Sequence, residues 1–131
     1  MPTLGAVTPI LRIFDIAKAH EFYVGFLGFE IQWEHRFDDD APLYMEASRD
    51  GCVLHLSEHH GDASPGSAVR IKVLDIASLH RELTGKAYRF ARPGLETTPW
   101  QTREVCVTDP FGNRLNFFEE TAAYERRSKP D

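Results

Sequence analysis

Three sets of side chains in this sequence are equipped for chemistry. The first is Trp33-Glu34-His35-Arg36-Phe37-Asp38-Asp39-Asp40, where two large aromatic rings stand beside an acidic run. Such rings stack on planar heterocycles and carboxylates attract positive charge, so the stretch suits a flat, cationic ligand. Trp100, after Pro99 and four residues before Glu104, adds a third large ring from far along the chain. Each residue also has an ordinary reading: Trp33 and Phe37 as core residues on a curved strand, Asp38 to Asp40 as a solvated loop, Arg103 and Glu104 as an exposed strand pair. The second set is His55, His59 and His60. On one strand His55 and His59 would share a face about 13 Å apart, at ~3.3 Å per residue, too far to bind one ion. His59 and His60 therefore read as loop residues and His55 as a pocket-lining residue. His20 and His80 read as helix-surface residues, and His35 as part of the cleft strand. The third set is nucleophiles. No serine lies in a GxSxG context, and Cys52 and Cys106 show neither CxxC spacing nor a local activating group. Both cysteines read as buried thiols. GxGxxG and GxxxxGK phosphate loops are absent.

These residues must be placed by a scaffold, and the scaffold is duplicated. Ile13-Phe14-Asp15-Ile16-Ala17 followed by His20 returns as Val73-Leu74-Asp75-Ile76-Ala77 followed by His80, an offset of 60 (15 to 75). A β-branched run precedes each copy, Val7 to Ile13 and Val69 to Val73. Helical spacing follows, with Ile16, Ala19, Tyr23, Phe26 and Leu27 on one face and Ile76, Leu79 and Leu83 on another. Asp15 and Asp75 are placed to cap the helix N-termini, and Gly28 and Gly85 to end the helices. Later, Arg49-Asp50-Gly51 and Asp109-Pro110-Phe111-Gly112 are turns that open the strand-like runs from Cys52 and from Asn113. Each half reads as strand, helix, then three strands. The expected fold is α+β: two βαβββ modules forming a curved, cupped mixed sheet, in a single domain. Module 1 covers about 4–59, the linker about 60–66, module 2 about 67–120 and the tail 121–131, with a frayed helix end expected from Tyr124 onward.

Composition bounds the function. With 15 Lys+Arg against 20 Asp+Glu, the 131-residue chain carries a net charge of −5, which argues against nucleic acid as a partner. No run reaches the ~18 apolar residues of a membrane span, and Met1-Pro2-Thr3-Leu4-Gly5 is no secretory signal, so a cytoplasmic protein is expected.

Thr8-Pro9-Ile10-Leu11-Arg12, Asp15-Ile16, Phe22-Tyr23 and Leu27-Gly28-Phe29 resemble the vicinal-oxygen-chelate (glyoxalase) superfamily. Thr98-Pro99-Trp100-Gln101-Thr102-Arg103-Glu104 and Thr108-Asp109-Pro110-Phe111-Gly112-Asn113 resemble its bleomycin-resistance branch, so that the likeness runs from about Ala6 to Glu120. The resemblance implies four metal-ligand positions in the superfamily's enzymes, here Thr8, His55, Val69 and Asn116. Only His55 is a good ligand and Val69 has no donor atom, so no metal site and no catalytic residue are expected. It implies instead a non-catalytic protein that sequesters a bleomycin- or phleomycin-type glycopeptide in clefts of a homodimer and so confers antibiotic resistance. Trp33, Phe37 and Trp100 would stack on the drug, Asp38, Asp39 and Asp40 would favour its cationic tail, and His55 and Asn116 would line the relic metal cavity. No cofactor is expected, since any metal would arrive on the ligand. Pro9 suits an edge strand or an arm, and the family likeness implies exchange of the N-terminal strand between subunits. The alternatives are a glyoxalase- or dioxygenase-type metalloenzyme of the same superfamily, or a binder of another aromatic metabolite.

Overall fold

The computed structural model describes residues 1–121; the expected helix end from Tyr124 lies outside the described residues. The elements run β1 (Ile10–Arg12), α1 (Ile16–Ala19), a π-helical continuation (His20–Phe26), β2 (Glu30–His35), β3 (Tyr44–Arg49), β4 (Cys52–Ser57), β5 (Ala68–Lys72), α2 (Ile76–Gly85), β6 (Glu96–Thr97), β7 (Thr102–Thr108) and β8 (Arg114–Glu120). This is βαβββ twice. The ladders form two four-stranded mixed sheets, in the orders β1-β4-β3-β2 and β5-β8-β7-β6. In each, the first strand of the module runs parallel to the last and the other pairs are antiparallel. The described residues divide into two compact units, one of residues 1–67 with 110–113 and the other of 68–109 with 114–121.

In the first unit β1 is shorter than the β-branched run suggested. Pro9 lacks an N–H, so the strand starts after it, although its carbonyl still accepts from His55 N at 2.9 Å. Asp15 caps α1 as expected, its carboxylate accepting from Lys18 N at 2.9 Å. The helix then widens, with Leu27 N donating to Phe22 O five residues back. That wider turn buries the sequence neighbours Phe22 and Tyr23 together with Phe26 and Leu27. The rings of Phe22 and Tyr23 meet edge-on with centroids 5.0 Å apart. Gly28 ends the helix at φ 76°, a value that favours glycine. Alternation along β3 and β4 sends Met45, Ala47, Leu54 and Leu56 to the core and Tyr44, Glu46 and His55 to the other face.

The second unit repeats the plan with different end chemistry. Asp75 is left-handed, at φ 63°, and its carboxylate accepts from Ser78 N at 3.2 Å. Glu119 supplements it, its two oxygens accepting from Asp75 N at 2.8 Å and Ile76 N at 3.1 Å. The expected terminal glycine is displaced: Gly85 is the last helical residue, and the left-handed turn falls on Ala87 at φ 50°. Ile76 and Leu83 of α2, with Val105, Val107, Leu115 and Phe117, are buried.

Candidate functional site

On the polar face of the first sheet, β2, β3 and β4 assemble a connected group. The Trp33 ring stacks on Tyr44, with centroids 5.8 Å apart and planes 13° off parallel, and meets His55 edge-on at 5.4 Å. A bulge in β2 between Ile31 and Trp33 puts Trp33 opposite Glu46 in the register. His55 Nε2 lies 3.0 Å from Glu46 Oε1 and Nδ1 lies 2.6 Å from Tyr44 Oη. A carboxylate only accepts, so Nε2 carries the proton, Nδ1 accepts, and the Tyr44 hydroxyl donates inward. Burial, and then the negative charges of Asp62 and Glu46, push the Tyr44 phenol above its usual value, so this hydroxyl keeps its proton. Trp33 is 43% exposed, an aromatic platform rather than a core residue.

Beyond β2, Phe37 is 88% exposed and its ring meets His35 edge-on at 4.8 Å. Asp38, Asp39 and Asp40 form an exposed turn. The Asp38 carboxylate accepts from Asp40 N at 3.1 Å, and the Asp39 carbonyl accepts from Arg36 Nη1 at 3.2 Å. The structure thus brings Trp33 and His55 together and leaves Phe37 and the aspartates on a solvated segment.

On the second sheet the organising group is Glu104, which the sequence suggested as an exposed partner of Arg103. It is buried. Arg70 Nη1 and Nη2 donate to its two oxygens at 3.2 and 3.1 Å. Thr102 Oγ1 donates at 2.7 Å and Trp100 Nε1 at 3.1 Å, both to Oε2. The Arg70 bond is the main reason the Glu104 carboxyl is held below its ordinary value, against the opposing effect of burial. Arg70 also lies over the Phe118 ring, 4.3 Å from its centroid. Trp100 remains 58% exposed.

Asn116 pairs in register with Arg70 on one side and Cys106 on the other. Val69 pairs with buried Leu115, so it turns to the face opposite Asn116, because successive strand residues alternate. The grouping of Val69 with Asn116 that the resemblance implies is therefore not formed, and Arg70 is the residue in register with Asn116. Neither cysteine is buried as expected: Cys52 is half-buried and Cys106 exposed. Desolvation raises both thiols above their usual value. His20 faces Glu34, with 3.4 Å between Nε2 and Oε1, and His80 Nε2 lies 3.1 Å from the Pro93 carbonyl. His59 and His60 stack on each other with centroids 5.4 Å apart.

A metal of the type held by the superfamily's enzymes does not suit these residues. His55 uses both ring nitrogens on Tyr44 and Glu46, and Thr8 is exposed ahead of β1. Among the described residues, no three His, Cys, Asp or Glu side chains gather as an ion requires.

Tyr44, Glu46 and Arg70 were not singled out by sequence reasoning. The signal for the first two is the alternation Tyr44-Met45-Glu46-Ala47, which places Tyr44 and Glu46 on the face opposite the apolar core.

Comparison with known proteins agrees with this architecture. A family model described as glyoxalase superfamily protein matches residues 3–123. No curated protein matches the chain. Among solved structures, an antibiotic binding protein from Streptomyces sp. CB03234 superposes with a TM-score of 0.71 at 19% identity, covering 92% of this chain and 100% of that one. The bleomycin-binding protein of Streptomyces verticillus, complexed with copper(II)-bleomycin, gives 0.66 at 28% identity over 93% of this chain and 99% of that one. A bleomycin resistance determinant encoded on the transposon Tn5 gives 0.69 at 22% identity over 89% and 98%. The duplicated βαβββ modules and a match spanning nearly the whole sequence place the chain in the glyoxalase superfamily.

Proposed function

We propose that this protein is a non-catalytic binder of a bleomycin- or phleomycin-type glycopeptide and confers resistance by holding the drug stoichiometrically. The observation that carries the reading is that each unit fixes one exposed indole, Trp33 by ring stacking and Trp100 by a hydrogen bond. Fixed, exposed aromatic faces stack on flat rings with little ordering cost. The 28% identity to a bleomycin-binding protein supports the same reading. Phe37 adds an exposed ring, and Asp38, Asp39 and Asp40 favour a cationic tail by their charge. His55 and Asn116 serve as polar lining. Copper comes with the drug, and the protein contributes no ligand to it. Function as a cytoplasmic homodimer, with clefts completed by the exchanged N-terminal arm, belongs to the same proposal. Leu4 and Val7, 97% and 89% exposed ahead of β1, are apolar residues that a second copy would cover.

Titration with copper(II)-bleomycin, read by tryptophan emission, tests the reading. Saturable quenching at micromolar drug is expected, weakened at least tenfold by Trp33→Ala. An unchanged emission overturns it. A metabolite binder would use the same indoles, and quenching by planar cations but not by bleomycin would select that alternative.

A further inference from the structure

Trp100 stands in a tight turn. Thr98 N donates to Thr102 O at 2.8 Å and Gln101 N to Thr98 O at 3.2 Å, and Gln101 takes the left-handed φ of 64°. A ring that is 58% exposed on such a turn has little packing to fix it. Its Nε1 donates to Glu104 Oε2 at 3.1 Å. Glu104 is itself immobilised: it is 7% exposed and accepts from Arg70 through both oxygens and from Thr102.

We infer that Glu104 is the positioning residue for Trp100, a buried carboxylate that anchors the indole by its edge and leaves its faces available for stacking. The anchor must be ionised. Four donor groups converge on it: two Arg70 nitrogens, the Thr102 hydroxyl and the indole N–H. A carboxylate has the lone pairs to accept all four, whereas an amide has one acceptor oxygen and brings two donors of its own. Arg70 keeps the charge in place, so the guanidinium acts on the indole through Glu104 without touching it. The inference rests on the binding reading only for its effect on affinity; the anchoring itself can be tested without ligand.

The chain has two tryptophans, so Trp33→Phe leaves Trp100 as the only indole emitter. In that background, Glu104→Gln is expected to lower the emission anisotropy of Trp100 and speed its quenching by acrylamide. Thr102→Val, which removes one neighbouring donor and spares the carboxylate, gives a smaller change in the same direction and serves if Glu104→Gln fails to fold. In the full chain, Glu104→Gln weakens copper(II)-bleomycin about tenfold, the loss expected for one hydrogen bond to a charged group. It does nothing further in a Trp100→Phe background, because that ring has no N–H to anchor. Unchanged anisotropy in both variants overturns the assignment, as does an equal affinity loss from Glu104→Gln with Phe at position 100. Increased mobility of Trp100 in a protein whose parent binds no bleomycin overturns the binding reading and leaves the anchor standing.

Discussion

The two units hold their exposed indoles by different physics. Trp33 sits on a strand and is oriented by ring faces, against Tyr44 and His55. Trp100 sits in a turn and is oriented by one hydrogen bond to a buried, ionised carboxylate. Duplication copied the scaffold and left the side-chain chemistry free to diverge. The stack of Trp33 on Tyr44 involves no formal charge and Tyr44 keeps its proton, so it tolerates changes in salt and pH, and only the edge contact with His55 borders ionisable groups. The Glu104 anchor depends on the carboxyl staying ionised and on Arg70 staying beside it. One unit is therefore expected to be robust and the other sensitive to conditions.

The largest effect should come from Arg70→Met, which leaves Glu104 buried without its counter-charge. Loss of a fully buried partner costs about 3–5 kcal/mol; Arg70 is half-exposed, so about 2 kcal/mol is expected here, measured by urea unfolding. Acid should separate the units next. The Glu104 carboxyl lies below its ordinary value of 4.5 in the folded protein. Its stabilisation is therefore fully present above the unfolded value and lost as pH falls through the lower, folded value. In single-tryptophan variants, Trp100 should become mobile in that acid window while Trp33 keeps its anisotropy. Equal behaviour of the two emitters would erase the contrast. Asp15→Ala should cost about 1 kcal/mol, the ordinary loss of an N-cap. The corresponding Asp75→Gly should cost only a few tenths or stabilise, because glycine relieves the left-handed backbone and Glu119 still serves the helix end. A full 1 kcal/mol loss there would show that the two caps are equivalent after all.

Local features were legible in the sequence. The repeat around Asp15 and Asp75, the turns at Asp50-Gly51 and Gly112, and the glycine after the first helix all depend on residues near one another in the chain. So does the family likeness, which implied the stacking role of aromatic residues already marked by their own types and neighbours. What escaped depends on pairing between distant strands. Glu104 is charged and flanked by Arg103, so nothing local marks it as buried; its partner Arg70 is 34 positions away. Val69 is the exception, since the alternation Val69-Arg70-Ile71-Lys72 already turns it away from the face of Arg70, and pairing with β8 then sets Arg70 beside Asn116. The Tyr44–His55–Glu46 chain exists because β3 and β4 share a register.

The turn 110–113 belongs to the first compact unit although it joins strands of the second sheet. Asn113 Nδ2 donates to the Arg12 carbonyl at 2.8 Å, across 101 positions, and its Oδ1 accepts from Ser67 N at 3.2 Å. During vectorial synthesis from the N-terminus, the first 67 residues would leave the ribosome without that side chain. The first unit is therefore completed only once residue 113 has been made, and severing the polypeptide at the linker would give a first fragment that lacks one of its own parts.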